Sequence, residues 1–105
     1  GTTTGLVITH NPNNIGGAAS FISNSVGDLY IRNSADNEDI KFWADDGSGL
    51  AEYFRLDGGD GEVVFSRAVQ IDSTVTVGVN DTGYDVKFFG DTASKYLLWD
   101  ASADK

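Results

Sequence analysis

Residues 39–45 read DIKFWAD and residues 85–91 read DVKFFGD, so one alternating pattern of charged and apolar side chains occurs twice. After a polar turn in each copy, residues 53–57 (YFRLD) match residues 96–100 (YLLWD). The second copy has three fewer residues in its turn, four (92–95) against seven (46–52). When apolar residues recur at every second position, successive side chains lie on opposite faces of a β-sheet. The pattern therefore predicts two copies of a unit built from short β-strands, and a weaker third copy begins at residues 28–32 (DLYIR).

The rest of the chain consists of short apolar runs separated by Gly, Asp, Asn and Ser, which favour turns. The runs are residues 6–9, 20–23, 29–32, 40–44, 53–56, 63–65, 69–71, 75–79, 86–89 and 96–99. The chain has 13 glycines, and each would cost about 1 kcal/mol in a helix interior. The sequence therefore predicts an all-β protein of short antiparallel strands with almost no helix.

A repeat of this kind indicates a unit that cannot bury its apolar face alone and stacks on neighbours or on other chains. The opposite face also carries aromatic residues, namely Tyr30, Trp43, Tyr53 and Phe89. Apolar side chains on both faces favour an intertwined homotrimeric β-prism or β-helix shaft, and the alternative is a single-chain β-sandwich. The predicted assembly core comprises Ile40, Phe42, Val86 and Phe88.

The chain divides by pattern into an N-terminal β segment or adapter, residues 1–26, and a repetitive structural segment, residues 27–105. The repeat copies lie near residues 39–57 and 85–100. The chain begins with GTTTG and ends with ADK, and both ends are typical of a piece of a longer protein.

The net charge of −9, from 16 acidic and 7 basic side chains, has the wrong sign for binding nucleic-acid phosphates or an anionic membrane. No stretch approaches the ~20 apolar residues of a membrane helix. The absence of cysteine excludes disulfides, thiolate metal sites and thiol catalysis. Neither nucleic acid nor membrane insertion is therefore expected.

No motif for a nucleophile, a phosphate-binding loop or a catalytic carboxylate pair stands out, so we expect no enzyme and no cofactor. Residues 58–62 (GGDGE) resemble the start of the glycine-rich calcium repeat of β-roll proteins, but Val63 replaces the carboxylate that would reach the ion. A plain hairpin turn, without metal, is the prediction there. Trp43, Tyr53 and Trp99 are candidates for stacking on sugar rings or contacting a partner, and the favoured alternative is that they pack against a neighbouring chain or the next repeat.

Residues 75–105 (VTVGVNDTGYDVKFFGDTASKYLLWDASADK) resemble a segment found in structural proteins of tailed phages, particularly marine ones, among tail fibres and virion appendages. Residues 27–59 look like the segment that often precedes it. The resemblance implies shaft or spacer repeats, located on the virion and extracellular, whose partners are copies of the chain and other virion proteins. It brings no catalytic residues. The leading hypothesis is a structural fibre segment that spaces or displays other domains, and the alternative is a glycan- or receptor-binding module recognising a host-surface glycan.

Overall fold

The computed structural model describes residues 6–11 and 19–105, with side chains from residue 19 onward. Its described residues form seven strands and no helix, which confirms the predicted all-β class. The strands are β1 (Leu6–Asn11), β2 (Ala19–Asn24), β3 (Ile40–Asp45), β4 (Leu50–Asp57), β5 (Glu62–Phe65), β6 (Val86–Phe89) and β7 (Tyr96–Trp99). Residues 1–5 and 12–18 of the predicted N-terminal segment lie outside the described residues.

The strands pair in three antiparallel sheets: β1 with β2, β3 with β4 and β5, and β6 with β7. Each pairing joins strands that are consecutive in the sequence, so the topology is a series of local hairpins. The chain forms two compact units, Gly1–Arg67 and Ala68–Lys105. The first repeat copy (β3, β4) lies in the first unit, and the second copy (β6, β7) lies in the second unit.

The repeat seen in the sequence is a repeat of hairpins with matching register. Ile40 pairs with Leu56 and Phe42 with Phe54 in the first copy. In the second copy, the sequence-equivalent pairs are Val86 with Trp99 and Phe88 with Leu97. Since directly opposed residues share one face of a sheet, each hairpin presents the same four apolar positions on one side.

The extra residues of the first copy are taken up beyond this shared part. The register shifts between Phe42 and Trp43, so that Trp43 pairs with Glu52 and Tyr53 is the additional residue of a β-bulge. In the second hairpin Phe89 pairs with Tyr96 without a shift. The bulge supplies one extra residue, and a hairpin end that is two residues longer supplies the other two.

No residue between 19 and 105 is buried, so this part of the single chain contains no closed core. Large apolar side chains remain open to solvent throughout, from Phe42 at 37% exposure to Tyr30 at 79%. The predicted alternative of a single-chain β-sandwich needs two sheets packed face to face around buried side chains. The part of the chain that is described shows no such layer within either unit.

Three of the predicted strands are not strands in this chain, and this part of the sequence-based prediction is wrong for the single chain. Residues 29–32, 69–71 and 75–79 lie outside the seven strands, and only an isolated bridge joins Val79 to Thr82. The predicted third repeat copy at residues 28–32 accordingly forms no hairpin. A strand requires a hydrogen-bonded neighbour, and the described residues of this chain supply none for these segments.

Candidate functional site

One face of the three-stranded sheet is wholly apolar, and we call it the first apolar face. The register places six large apolar side chains on it: Ile40, Phe42, Phe54, Leu56, Val63 and Phe65. Three of its phenylalanines stack across the strands, with ring centroids 4.4 Å apart for Phe42 and Phe54 and 5.6 Å apart for Phe54 and Phe65. The rims of this ladder are open, because Val63 and Phe65 are 56% and 58% exposed. The face is therefore suited to packing against a second apolar surface, as one layer of a protein core does.

The opposite face of the same sheet is polar and centred on Arg55. Its guanidinium donates from Nη1 to Glu52 Oε2 at 2.9 Å and from Nε to Asp57 Oδ2 at 3.1 Å. Asp39 Oδ2 lies 3.8 Å from Nε. These hydrogen bonds raise the pKa of Arg55 above its usual range, with Glu52 the largest cause. Because Lys41, Arg55 and the carboxylates around Arg55 are charged, this face is suited to solvent. The sheet therefore has one solvent side and one apolar side without a cover among the described residues.

The second unit repeats the division in a smaller sheet. Its apolar side, the second apolar face, comprises Val86, Phe88, Leu97 and Trp99. Phe88 is 63% exposed, Leu97 69% and Trp99 47%. On the other side, the Lys87 ammonium lies 4.5 Å from the Tyr96 ring centroid and 5.5 Å from that of Phe89. This cation–π arrangement covers the aromatic rings with a charge that remains in water.

An aspartate immediately before each hairpin ties the two hairpin ends together, and we call this contact the Asp clasp. Asp39 Oδ1 accepts a hydrogen bond from the Gly58 N–H at 3.0 Å. In the second copy Asp85 Oδ1 accepts one from the Ala101 N–H at 2.9 Å. Asp39 and Asp85 open the two matching sequence units, and Gly58 and Ala101 each follow the closing aspartate. The repeat therefore extends to individual hydrogen bonds.

The closing aspartates also have the same role in both copies. Asp57 Oδ1 accepts from the N–H groups of the second and third residues after it, at 3.0 and 2.9 Å. Asp100 Oδ1 does the same, at 2.9 and 3.2 Å, and accepts from the Ser102 hydroxyl at 2.6 Å. These bonds lower the pKa of both carboxyls, chiefly through the Asp60 N–H for Asp57 and the Ser102 hydroxyl for Asp100. Each carboxylate thus fixes the turn that follows its strand.

The structure places the predicted assembly residues on the two apolar faces. Ile40 and Phe42 lie on the first face, and Val86 and Phe88 lie on the second. The sequence reasoning did not assign their cross-strand partners on these faces, although the YFRLD and YLLWD match carried that information. Trp99, proposed as a glycan or partner contact, lies on the second apolar face opposite Val86.

The other two predicted contact residues lie on the polar face of the first unit. Trp43 is 57% exposed there, beyond the bulge. Tyr53 is half-buried, and the Arg67 guanidinium lies 5.2 Å from its ring centroid. The Nη1 atom of Arg67 also lies 3.6 Å from Oδ2 of Asp46. One face of Tyr53 is therefore already occupied by a cation, which leaves Trp43 as the open ring of the pair.

The acidic turns use their carboxylates on the backbone. Residues 58–61 form the turn between β4 and β5, as predicted for the GGDGE segment. Asp45 Oδ1 accepts from the N–H groups of Gly47 and Gly49 at 2.7 and 3.0 Å, and Asp46 Oδ1 accepts from Ser48 at 2.9 Å. Within the described residues, no group of three or more His, Asp or Glu side chains is arranged to hold a metal ion.

Comparison with known proteins finds no matching family model, no similar curated protein and no similar solved structure. The described residues also contain no helix long and apolar enough to span a membrane.

Proposed function

We propose that this chain is a structural segment of a fibrous appendage, in which three copies cover one another's apolar faces and the repeat acts as a spacer. The observation that carries the proposal is the combination of two wholly apolar sheet faces with the absence of any buried residue between 19 and 105. The resemblance of residues 75–105 to tailed-phage appendage proteins supports a location on the virion. Copies of the chain and neighbouring virion proteins are the partners that such a spacer needs.

The exposed apolar area is large enough to decide whether the chain folds. Seven side chains of the two faces remain more than a third exposed: Phe42, Leu56, Val63, Phe65, Phe88, Leu97 and Trp99. Burying the remaining half or so of each, at ~1.5–3 kcal/mol for a whole side chain, gives about 5–10 kcal/mol per chain. That is comparable with the entire ~5–15 kcal/mol stability of a typical domain. Covering these faces is therefore the main source of stability available to the protein.

Residues 29–32, 69–71 and 75–79 add a second reason for self-association. They have the alternation of strands but no strand partner among the described residues, and Tyr30, Ile31, Val75 and Val79 are each more than 60% exposed. Strands from neighbouring copies would satisfy the backbone groups of these segments and cover their side chains together. An intertwined trimer supplies such neighbours from every chain.

The mass of the assembly in solution tests the proposal, together with two substitutions at adjacent positions. Phe88 lies on the second apolar face, whereas Phe89 lies on the opposite face and is 76% exposed. In a trimer, Phe88→Asp brings three carboxylates close together in apolar surroundings, and burying even one unpaired charge is costly. We expect multi-angle light scattering to give three times the chain mass for the wild type and for Phe89→Asp, and monomer or aggregate for Phe88→Asp.

Melting curves over a hundredfold range of chain concentration complete the test. A trimer melts at higher temperature as concentration rises, because association favours only the folded state. Lowering the pH should partly restore Phe88→Asp by neutralising its carboxylates. A monomeric wild type whose melting temperature is independent of concentration would refute the trimer, and equal damage from both substitutions would refute the assignment of the face.

A glycan-binding role is the second candidate, and the exposure of Trp43 on the polar face is the observation in its favour. An exposed indole on a face that is not needed for assembly can stack on a sugar ring. Glycan-array binding that is lost in Trp43→Ala, with the assembly mass unchanged, would support this role. If glycan binding is unchanged in Trp43→Ala, Trp43 does not contribute to glycan recognition.

A further inference from the structure

The two repeat copies differ in how many neighbours their second strand has. In the first unit β4 lies between β3 and β5. In the second unit β7 is the equivalent of β4, and among the described residues it pairs only with β6. The side of β7 that corresponds to the β5 side of β4 is therefore a free sheet edge.

The turn that leads into β5 is reproduced after β7. Each closing aspartate holds the second and third N–H groups after it, as described above. The fourth residue after it has a left-handed backbone in both copies, with φ 70° at Gly61 and φ 57° at Asp104. An aspartate at such a φ is uncommon, so the match reflects the same turn and not a general preference of the residue.

The residue after this turn already occupies the first position of the free edge. Asp100 and Lys105 exchange both backbone hydrogen bonds, from Asp100 N to Lys105 O at 2.7 Å and from Lys105 N to Asp100 O at 3.3 Å. In the first unit the equivalent pair is Asp57 with Glu62, the pair at which β5 begins. The backbone at Lys105 is thus set antiparallel to β7.

The hydrogen-bonding groups of the free edge can be assigned from the ladder. Gly90 N donates to Lys95 O at 2.8 Å, and hydrogen-bonded and non-hydrogen-bonded pairs alternate along an antiparallel ladder. The backbone groups of Leu97 and Trp99 therefore face β6, and those of Tyr96 and Leu98 face the free edge. In the first unit the Tyr53 carbonyl, equivalent to that of Tyr96, accepts from Ser66 N at 2.9 Å.

We propose that the free edge of β7 is a docking site for a β-strand continuous with Lys105, with apolar side chains at the first and third positions after it. Those positions correspond to Val63 and Phe65, which complete the first apolar face. On β7 they would lie beside Trp99 and Leu97, which are 47% and 69% exposed. A strand from another molecule would have to displace Lys105 from Asp100, which is why the occupant is assigned to the same chain.

The test appends Val-Val-Phe-Ser, the sequence of residues 63–66, after Lys105. Hydrogen exchange followed by NMR then reports on the amide of Leu98, which faces the free edge, and on that of Leu97, which faces β6. Since Arg55, the equivalent of Leu98, pairs with Val64, we expect exchange at Leu98 to slow by at least tenfold on extension, with exchange at Leu97 unchanged. The same extension should raise the melting temperature at fixed chain concentration.

The matched control appends Val-Pro-Phe-Ser, which keeps the apolar first and third positions. It removes the N–H group that would donate to the Leu98 carbonyl and places a proline ring against β7, so that the appended segment should not pair as a strand. This control should give little or no slowing at Leu98. Equal protection by both extensions, or by neither, would overturn the proposal. Slow exchange at Leu98 in the unextended protein would also overturn it, because another chain would then occupy the edge. The readout is independent of the number of copies, so the result does not depend on the proposed trimer.

Discussion

The Asp clasp gives the sharpest quantitative expectation for the repeat. Replacing Asp85 by alanine removes the acceptor 2.9 Å from the Ala101 N–H, a contact that links residues 16 positions apart. Because the site is exposed, water partly replaces the lost bond, and a net loss near the typical ~1 kcal/mol is expected. For a chain of this size that corresponds to a fall in melting temperature of roughly 4–8 °C. Asp85→Asn retains a side-chain oxygen and should lose less than half as much.

The assay is thermal unfolding followed by circular dichroism, at one fixed chain concentration because association shifts the midpoint. Asp91→Ala is the control, since it makes the same change of charge in the same unit and Asp91 makes no hydrogen bond in the described structure. The equivalent change in the first copy, Asp39→Ala, should have at least as large an effect, because Asp39 also lies 3.8 Å from Arg55. If Asp85→Ala and Asp91→Ala melt within about 1 °C of each other, the clasp does not stabilise the repeat.

Three further expectations follow from the fold and its turns. Far-ultraviolet circular dichroism should be typical of β-sheet, and a helix content near the roughly one-third found in average globular proteins would contradict the fold. Gly58→Ala should lower the melting temperature by several degrees, because a Cβ at Gly58 would clash with the backbone carbonyl of Glu38 and overpacking costs ~1–3 kcal/mol; Ala101→Gly at the equivalent position, with no such clash to introduce, should change it by less. The lowered pKa values of Asp57 and Asp100 mean that the folded state favours their ionised forms. Their contribution is complete above the unfolded pKa of ~3.9 and is lost as the pH falls through the lower folded values. Melting curves from pH 7 to pH 2 should therefore show a loss that is smaller when both aspartates are asparagine, and an equal loss in both proteins would contradict this assignment.

Much of the fold was predictable from the sequence because its contacts are local. The alternation in residues 39–45 and 85–91 gave the strand faces, and the matching lengths gave the repeat and its three-residue difference. Residues 75–79 show the limit of this reasoning. Alternating valines indicate a strand, but the pattern does not say which chain supplies its neighbour, and residues 6–11 and 19–105 of the same chain supply none.

The candidate site was predicted in part for a similar reason. Phe42 and Phe88 could be placed on apolar faces from their period alone. The function of the aspartates that begin and end each unit could not, because the clasp depends on an oxygen meeting an N–H group 16 or 19 residues away. The recurrence of these aspartates at matching positions was the available signal. In a chain with a net charge of −9, however, each acidic residue can equally be explained as a solvent-exposed charge.

The β-bulge at Tyr53 implies a parity rule for how such repeats can vary in length. Adding two residues to a hairpin tip lengthens both strands by one and leaves every earlier side chain on its own face. With the loop length unchanged, an odd addition would turn the second strand over and send Phe54 to the solvent side, unless one residue is set aside in a bulge. The first copy shows this compensation, with three additional residues divided into two at the tip and one at Tyr53. At a fixed loop length, hairpin tips of this protein can therefore lengthen by even steps, while each odd step requires a bulge.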